Sequence, residues 1–563
     1  MFSSISRGKS GGSRKKALLR ATPAALIGLF LILIISSTAV GTGVLMRAST
    51  DSAGGQVEGS SNYPSISADG RYVAFNSDAA DIVYDDINGV RDIFIKDTRT
   101  GATTMVSTNQ AGVIGNGHSY RPSISADGRY VAFDSAASNL VAGDNNGIHD
   151  VFWKDTQTGD VVLVSVAEDG TQGNNGSYYP SISADGRYVA FHSHASNLVP
   201  DDMNGVTDVF VKDTRTGALT RVSVTASGGN GDNWSGDPSI SADGRYVAFD
   251  STAANLVQYD TNAKLDIFVN DTSTGVTIRV STNSAAGQVY GHSYEPSISA
   301  DGRYVVFHSR ADDLAPGGSP GTLDIFLKDT QTGSVTLLST DFEGGPSDND
   351  SWRASVSATG RYVAYTSYAT DIVPGDTNRD EDVFVTDALT GNTTRVSTNA
   401  SGAQGNDDSD YASISQYGFY VAYESEAWNL VPGDTNGRDD VFVATAADCS
   451  GEKPGLSLSK TNVRWGSYAD YQNQLLTVDY RISNSLATAA VDVTIVGSAS
   501  TNSVTVATPL PLQLGYITIG GNATYSLKYN TPPGVGAFTT NTYVTARNSC
   551  GNFYEYPGPY PSF

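Results

Sequence analysis

Ser67-Ala68-Asp69-Gly70-Arg71-Tyr72-Val73-Ala74-Phe75 recurs through this chain almost unaltered. Identical copies begin at Ser125, Ser183 and Ser241; the copy at Ser299 carries Val306 in place of the alanine; degenerate copies begin at Ser357 and Ser415. Every step is 58 residues, with no net insertion or deletion. A fixed period of this length marks a repeat architecture, in which one supersecondary unit buries its faces only against copies of itself.

Each unit holds four strand-like runs. In the second copy these are Pro122–Ser125, Arg129–Ser135, Asp150–Asp155 and Val161–Val166. Asp127-Gly128 joins the first two as a tight hairpin, with glycine supplying the positive φ, and Thr158-Gly159 joins the last two. The run Tyr130-Val131-Ala132-Phe133 puts aromatic and aliphatic side chains on both faces, as a sheet packed between neighbours requires. Seven four-stranded units predict an all-β, seven-bladed β-propeller. An open solenoid would need capping repeats, and none is visible.

Ring closure offers an independent check. The fourth run carries Thr-Gly in six copies, at Gly101, Gly159, Gly217, Gly275, Gly333 and Gly391, but the seventh would fall on Cys449. One period before Gly101 stands Gly43, and Thr42-Gly43-Val44-Leu45-Met46-Arg47-Ala48-Ser49-Thr50 matches the segment beginning at Thr274. The N-terminus is therefore expected to supply the outer strand of the last blade, pairing the chain ends and removing the open edges.

The run Pro-Ser-Ile-Ser-Ala-Asp-Gly-Arg-Tyr-Val-Ala-Phe, followed by Asp-Val-Phe-x-Lys-Asp-Thr-x-Thr-Gly, resembles the WD40-like PD40 repeat of TolB-type propellers. The resemblance covers residues 42–446 and implies the propeller fold. It implies no single activity, because such propellers host binding, scaffolding and catalysis alike. The chain departs from TolB itself in lacking its extra N-terminal domain and in carrying a different C-terminal module.

The 563 residues include 59 Gly, 30 Tyr and only 2 Cys, with a net charge of -24. Such a surface repels nucleic-acid phosphates and suits divalent cations or solubility outside the cell. Residues 1–39 differ: Arg7, Lys9, Arg14, Lys15, Lys16 and Arg20 precede an uncharged stretch densest in apolar residues at Leu26–Ile35. This pattern is an export signal, cleaved near Ala39 or kept as a single membrane anchor. A strand beginning near Thr42 leaves almost no tether, which favours cleavage. The body, residues 40–446 and beyond, is expected to be extracytoplasmic.

Between the second and third strands lies an Asp-x-Asn-Gly-x-x-Asp loop. Its triples are Asp86, Asn88, Asp92; Asp144, Asn146, Asp150; Asp202, Asn204, Asp208; Asp260, Asn262, Asp266; Asp376, Asn378, Asp382; and Asp434, Asn436, Asp440. The fifth copy retains only Asp324. Alternating oxygen ligands around a glycine resemble part of a calcium loop, although Asx-turns use the same residues without metal. Calcium, if bound, would brace loops with weak affinity.

Up-and-down strand order places the short, repeated hairpins on one face and the longer loops on the other. Aromatic residues stand just ahead of the inner strands: Tyr63, Tyr120, Tyr178, Tyr179, Trp234, Tyr294, Trp352 and Tyr411, with His118, Arg121, Asp237, Glu295, Arg353 and Asp410 interspersed. They form a candidate platform for a protein or carbohydrate at the cell surface; the plain alternative is that the rings plug gaps between blades. Neither a Gly-x-Ser-x-Gly elbow nor a His-Glu-x-x-His is read from the sequence. His192 and His308 share a repeat column with Asn76, Asp134 and Asp250, which reads as a tolerant polar strand position. The leading expectation is a binding or scaffold protein. A secreted glycoside hydrolase or lyase, or a structural envelope component, are the alternatives; a His/Asp/Glu cluster at the channel mouth would favour the enzyme.

From about Lys453 the period is lost. Leu475–Ile482, Val491–Val496, Ser503–Ala507, Ala523–Tyr529 and Asn541–Ala546 read as strands, predicting an immunoglobulin-like sandwich over 453–552. Cys449 and Cys550 bracket it and are expected to form a disulfide in an oxidising compartment. Residues 553–563, rich in Tyr and Pro, are expected to be a loose tail.

Overall fold

The computed structural model describes residues 45–446 apart from Ser319, together with the C-terminal strands between 456 and 557. The export segment, Cys449 and Cys550 lie outside the described residues.

The first blade is built from β2 (Ser61–Ile66), β3 (Tyr72–Ser77), β4 (Asp92–Asp97) and β5 (Thr103–Met105), hydrogen-bonded in that order. Five more sheets repeat this order. The seventh contains Ser409–Ile414, Tyr420–Ser425 and Asp440–Thr445, and its outer strand is β1 (Leu45–Arg47). β1 lies antiparallel to Asp440–Thr445 with Leu45 opposite Ala444 and Arg47 opposite Phe442, so the ring shuts as the sequence predicted. Side chains tighten the closure. Ser49 Oγ and Arg47 Nη1 donate to the buried Asp440 carboxylate at 2.5 and 2.9 Å. On the other side, Lys96 Nζ of the first blade donates to Thr50 Oγ1 at 2.7 Å and to Asp51 O at 2.9 Å.

The core lies between sheets. Ala74, Ile93 and Ile95 of the first blade pack with Val131, Phe133 and Phe152 of the second. The hairpin turn is part of this joint. Gly128 has φ +75°, and a Cβ there would lie 2.1 Å from the Tyr72 ring of the preceding blade. Beside it, Arg129 Nη2 holds Asp155 at 2.6 Å, and the same ion pair recurs in blades one to six.

Two strand boundaries differ from the sequence reading. Inner strands start earlier, at Ser119 rather than Pro122. Outer strands stop earlier, at Leu163 rather than Val166. The second difference has a side-chain cause: Ser165 Oγ donates to Asp150 and accepts from Val151 N–H, replacing the ladder.

The C-terminal region has eight strands among the described residues. Leu456–Trp465, Leu475–Asn484, Asn522–Asn530 and Thr505–Val506 form one antiparallel sheet. Leu512–Ile517, Ala490–Ser500, Thr540–Asn548 and Phe553–Pro557 form another. The start of the tail is not loose: Phe553–Pro557 pairs with Tyr543–Arg547. Its alternation Phe-Tyr-Glu-Tyr is a strand pattern that the neighbouring prolines obscure.

Candidate functional site

Every inner strand is interrupted at the same place. In the first blade the pairing shifts register between Asn62 and Ser65, and the residue inside this bulge turns left-handed. The seven equivalents are Tyr63, Arg121, Tyr179, Asp237, Glu295, Arg353 and Tyr411, with φ between 45° and 54°. None is glycine, although a left-handed side-chain-bearing residue costs on the order of 1–3 kcal/mol. Together they line a central cavity of about 320 Å³, with the Pro or Ala that follows each of them and with Ser65, Ser123, Ser181 and Ser239.

The ring divides into two arcs. On one, the Arg121 guanidinium lies 4.0 Å from the Tyr179 ring and 5.4 Å from the Tyr63 ring. The Tyr63 and Tyr411 rings are 4.4 Å apart, with Tyr411 Oη donating to Tyr63 Oη at 3.2 Å. Arg353 covers Tyr411 at 3.8 Å and is ion-paired with Asp410. The other arc is Asp237 and Glu295. Burial, and then Glu295, push Asp237 up to about 7; burial also raises Glu295.

A second layer supports the first. The bulge frees backbone N–H groups at the ring, and side chains on the second strand of an adjacent blade receive several of them, whereas Tyr411 N–H donates to Asp410 Oδ1 at 2.6 Å. Tyr63 N–H donates to Glu424 Oε2 at 2.7 Å, Glu295 N–H to Asp250 Oδ2 at 3.2 Å, and Asp237 N–H to His192 Nδ1 at 3.3 Å. Burial pushes Glu424 up to about 7 and His192 down to about 3. This layer is the polar column of Asn76, Asp134, His192, Asp250, His308, Thr366 and Glu424. The sequence reading took it for a tolerant strand position; its constant polarity opposite the bulge was the available signal.

Of the expected aromatics, Tyr63, Tyr179 and Tyr411 belong to the ring. The other five lie in the inner strands or just before them and stack on neighbours. Tyr120 lies between His118 and His149, Tyr178 meets His149, Tyr294 meets His308, Trp352 meets Tyr368, and Trp234 meets His192 edge-on. The charged ring members, noted in the sequence only as interspersed, are four of the seven.

The Asp-x-Asn-Gly loops are tied to protein partners. Asn88, Asn146, Asn204 and Asn262 each donate Nδ2 to the strand-opening Asp92, Asp150, Asp208 and Asp266 at 2.6–2.9 Å. All six asparagines, Asn378 and Asn436 included, also donate to a backbone carbonyl of the neighbouring loop. In four blades an outer-strand arginine joins both carboxylates: Arg47 with Asp434 and Asp440, Arg221 with Asp202 and Asp208, Arg279 with Asp260 and Asp266, and Arg395 with Asp376 and Asp382. In these loops a guanidinium stands where the sequence reading placed calcium. No group of three His, Cys, Asp or Glu able to hold a metal is found among the described residues.

One pattern escaped the sequence reading. Gly317-Gly318-Ser319-Pro320-Gly321 spells Gly-x-Ser-x-Gly. A nucleophile elbow needs a strand-turn-helix setting, whereas this segment joins the strands Tyr304–Ser309 and Asp324–Asp329.

No family model and no curated protein matches the chain. Among solved structures it is similar to TolB of Agrobacterium tumefaciens, at 19% identity over 49% of this chain and 79% of that one, TM-score 0.32. It is also similar to TolB of Acinetobacter baumannii, at 16% identity over 67% and 80%, TM-score 0.30. A third is an oligogalacturonate lyase in complex with manganese, at 14% identity over 73% and 99%, TM-score 0.44. At these identities and TM-scores the fold assignment rests on the seven sheets themselves.

Proposed function

We propose that the chain is an extracytoplasmic binding propeller whose central ring grips a protein segment carrying both signs of charge. The observation that carries this reading is the ring column. Between serines repeated in every blade, at Ser61 and Ser65 and their equivalents, the ring column reads Tyr, Arg, Tyr, Asp, Glu, Arg, Tyr, every member left-handed, while the column before it also varies and the column after it is Pro or Ala. Left-handed backbone without glycine at seven places favours retained side chains with a task. A sugar would need bare aromatic faces. Here guanidinium groups already lie over Tyr63, Tyr179 and Tyr411, which favours charge recognition of a polypeptide. The location outside the cytoplasm is inferred from residues 1–39.

The test is binding of residues 40–563 to immobilised peptide and glycan arrays. Mixed-charge peptides should bind, and Arg121→Ala or Glu295→Gln should weaken that binding at least tenfold, on the scale of a lost charged contact. Glycan binding that survives both substitutions would refute the reading. A glycoside hydrolase or lyase would draw on the same acidic arc, since a carboxylate raised toward neutrality suits proton transfer. Polysaccharide turnover abolished by Asp237→Asn and Glu295→Gln would move the function to that class.

A further inference from the structure

The loops between second and third strands are not equivalent, and the difference lies in one outer-strand column. Its occupants are Arg47, Met105, Leu163, Arg221, Arg279, Leu337 and Arg395. Wherever the column is arginine, Nη1 lies 2.9–3.8 Å from one oxygen of each of two loop carboxylates. The fifth blade has Leu337 and has also lost the first Asp of its loop, with Gly318 in its place. Cation and anion disappear together there.

Blades one and two break this rule. They keep Asp86 with Asp92 and Asp144 with Asp150, yet face them with Met105 and Leu163. The first blade gives the clearer of the two cases. Its Asp86 is 6% exposed, and its Oδ1 has no hydrogen-bond partner. The corresponding Oδ1 of Asp434, Asp260, Asp376 and Asp202 is the atom that faces the arginine. A neighbouring amide gives no help either. Gln56 and Gln288 donate to Asp434 and Asp260 at 3.1 Å, but the first blade has Ile114 at that position. In the second blade Gln172 donates to Gly143 O instead of to Asp144. A cavity lined by Asp81, Asp85, Met105 and Ile114 opens beside the first loop.

Two carboxylates brought together under burial need either a proton or a positive charge between them. Four blades supply it from the chain. We propose that blades one and two take it from solvent, as a hard divalent cation of the calcium type held by Asp86 with Asp92 and by Asp144 with Asp150. All-oxygen ligands select such ions. Two carboxylates per site set the affinity near the ~10⁻⁴–10⁻³ M range of extracellular modules. The inference does not depend on what the central ring binds.

Equilibrium dialysis of residues 40–563 against 10 mM calcium, about ten times the upper end of that range, counts the ions directly. Two bound ions are expected, falling to one in Met105→Arg or Leu163→Arg and to none in the double variant, with the melting midpoint of the double variant indifferent to EGTA. The reciprocal change guards against a variant that does not fold: Arg221→Leu recreates the second blade's arrangement in the third and should add one ion. No calcium bound by the unaltered chain overturns the proposal, as does a number untouched by the two arginine substitutions and by Arg221→Leu. One ion, lost with Met105→Arg alone, upholds it for the first blade and overturns it for the second.

Discussion

Three residues separate Tyr63, in one inner strand, from Ser67 just past its end, and the two ends of that strand obey opposite rules. At the hairpin end the chain copies itself. Ser67 and its six equivalents are all serine, Gly70 and its equivalents all glycine, and positive φ is met by the one residue that adopts it freely. At the channel end positive φ is met by Tyr, Arg, Asp or Glu, and the residue type changes from blade to blade. The first end shows a backbone need answered by the least costly residue. The second shows a side chain retained despite its backbone. One strand thus carries the scaffold at one end and the individuality of the protein at the other.

That contrast presupposes a closed ring, so the largest expected effect comes from opening it. Deleting residues 1–50 removes β1 and strips Asp440, fully buried, of both Arg47 and Ser49. An unpaired buried carboxylate alone costs about 3–5 kcal/mol, and Met46 and Ala48 leave the cluster that joins the first and last blades. Thermal melting should fall by about 10 °C or more on the scale of a few degrees per kcal/mol. A truncated chain melting within a few degrees of the full one would mean that the seventh blade closes by some other strand.

The next effect tests the two rules with glycine itself. Gly128→Ala forces a Cβ into the Tyr72 ring at a φ of +75° and should destabilise by about 2–4 kcal/mol, combining overpacking with backbone strain. Glu295→Gly, at a φ of 46° and open to the channel, should run the other way. Relief of the left-handed strain is offset by glycine's entropy, leaving the protein unchanged or up to about 1 kcal/mol more stable, while ring binding is lost. Urea denaturation of both variants measures this. If Glu295→Gly destabilises as much as Gly128→Ala, the ring residues serve the fold, and the reading of the channel as a retained site is lost.

The same contrast explains what the sequence could and could not reveal. Blade count, hairpins and ring closure were legible because they are set by local turn chemistry and alternation that recur with the period. The ring was legible only in part: its seven members stood among the platform residues, but Tyr63 and Asp237 share only a position, so nothing in their types marked them as one bulge column apart from the other aromatics. Arg221 was missed as the occupant of the Asp202–Asp208 loop because it lies 13 residues beyond Asp208 on an outer strand. The tail strand Phe553–Pro557 was obscured by its prolines.

The smallest expected effect is electrostatic and carries opposite signs at the two ends. At the hairpin face, hydrogen bonding to Arg129 and Arg187 draws Asp155 and Asp213 down to about 2. Their folded values lie below the unfolded carboxylate value near 3.9, so their contribution is present above about pH 4 and lost as pH falls toward 2. At the channel, burial raises Asp237 and Glu424 to about 7. There the folded state holds protons that the unfolded chain releases near pH 4, so stability declines as pH rises from about 4 through 7. Maximum stability should therefore fall at about pH 4–5, between the two limbs. In urea titrations, Asp237→Asn should flatten the decline above pH 5 and leave the acid limb unchanged, while Arg129→Met should weaken the acid limb alone. An Asp237→Asn profile parallel to the unaltered one between pH 5 and 8 would show that the acidic arc is ionised and paired in the fold. The channel would then be a fixed anionic patch rather than a proton-holding one.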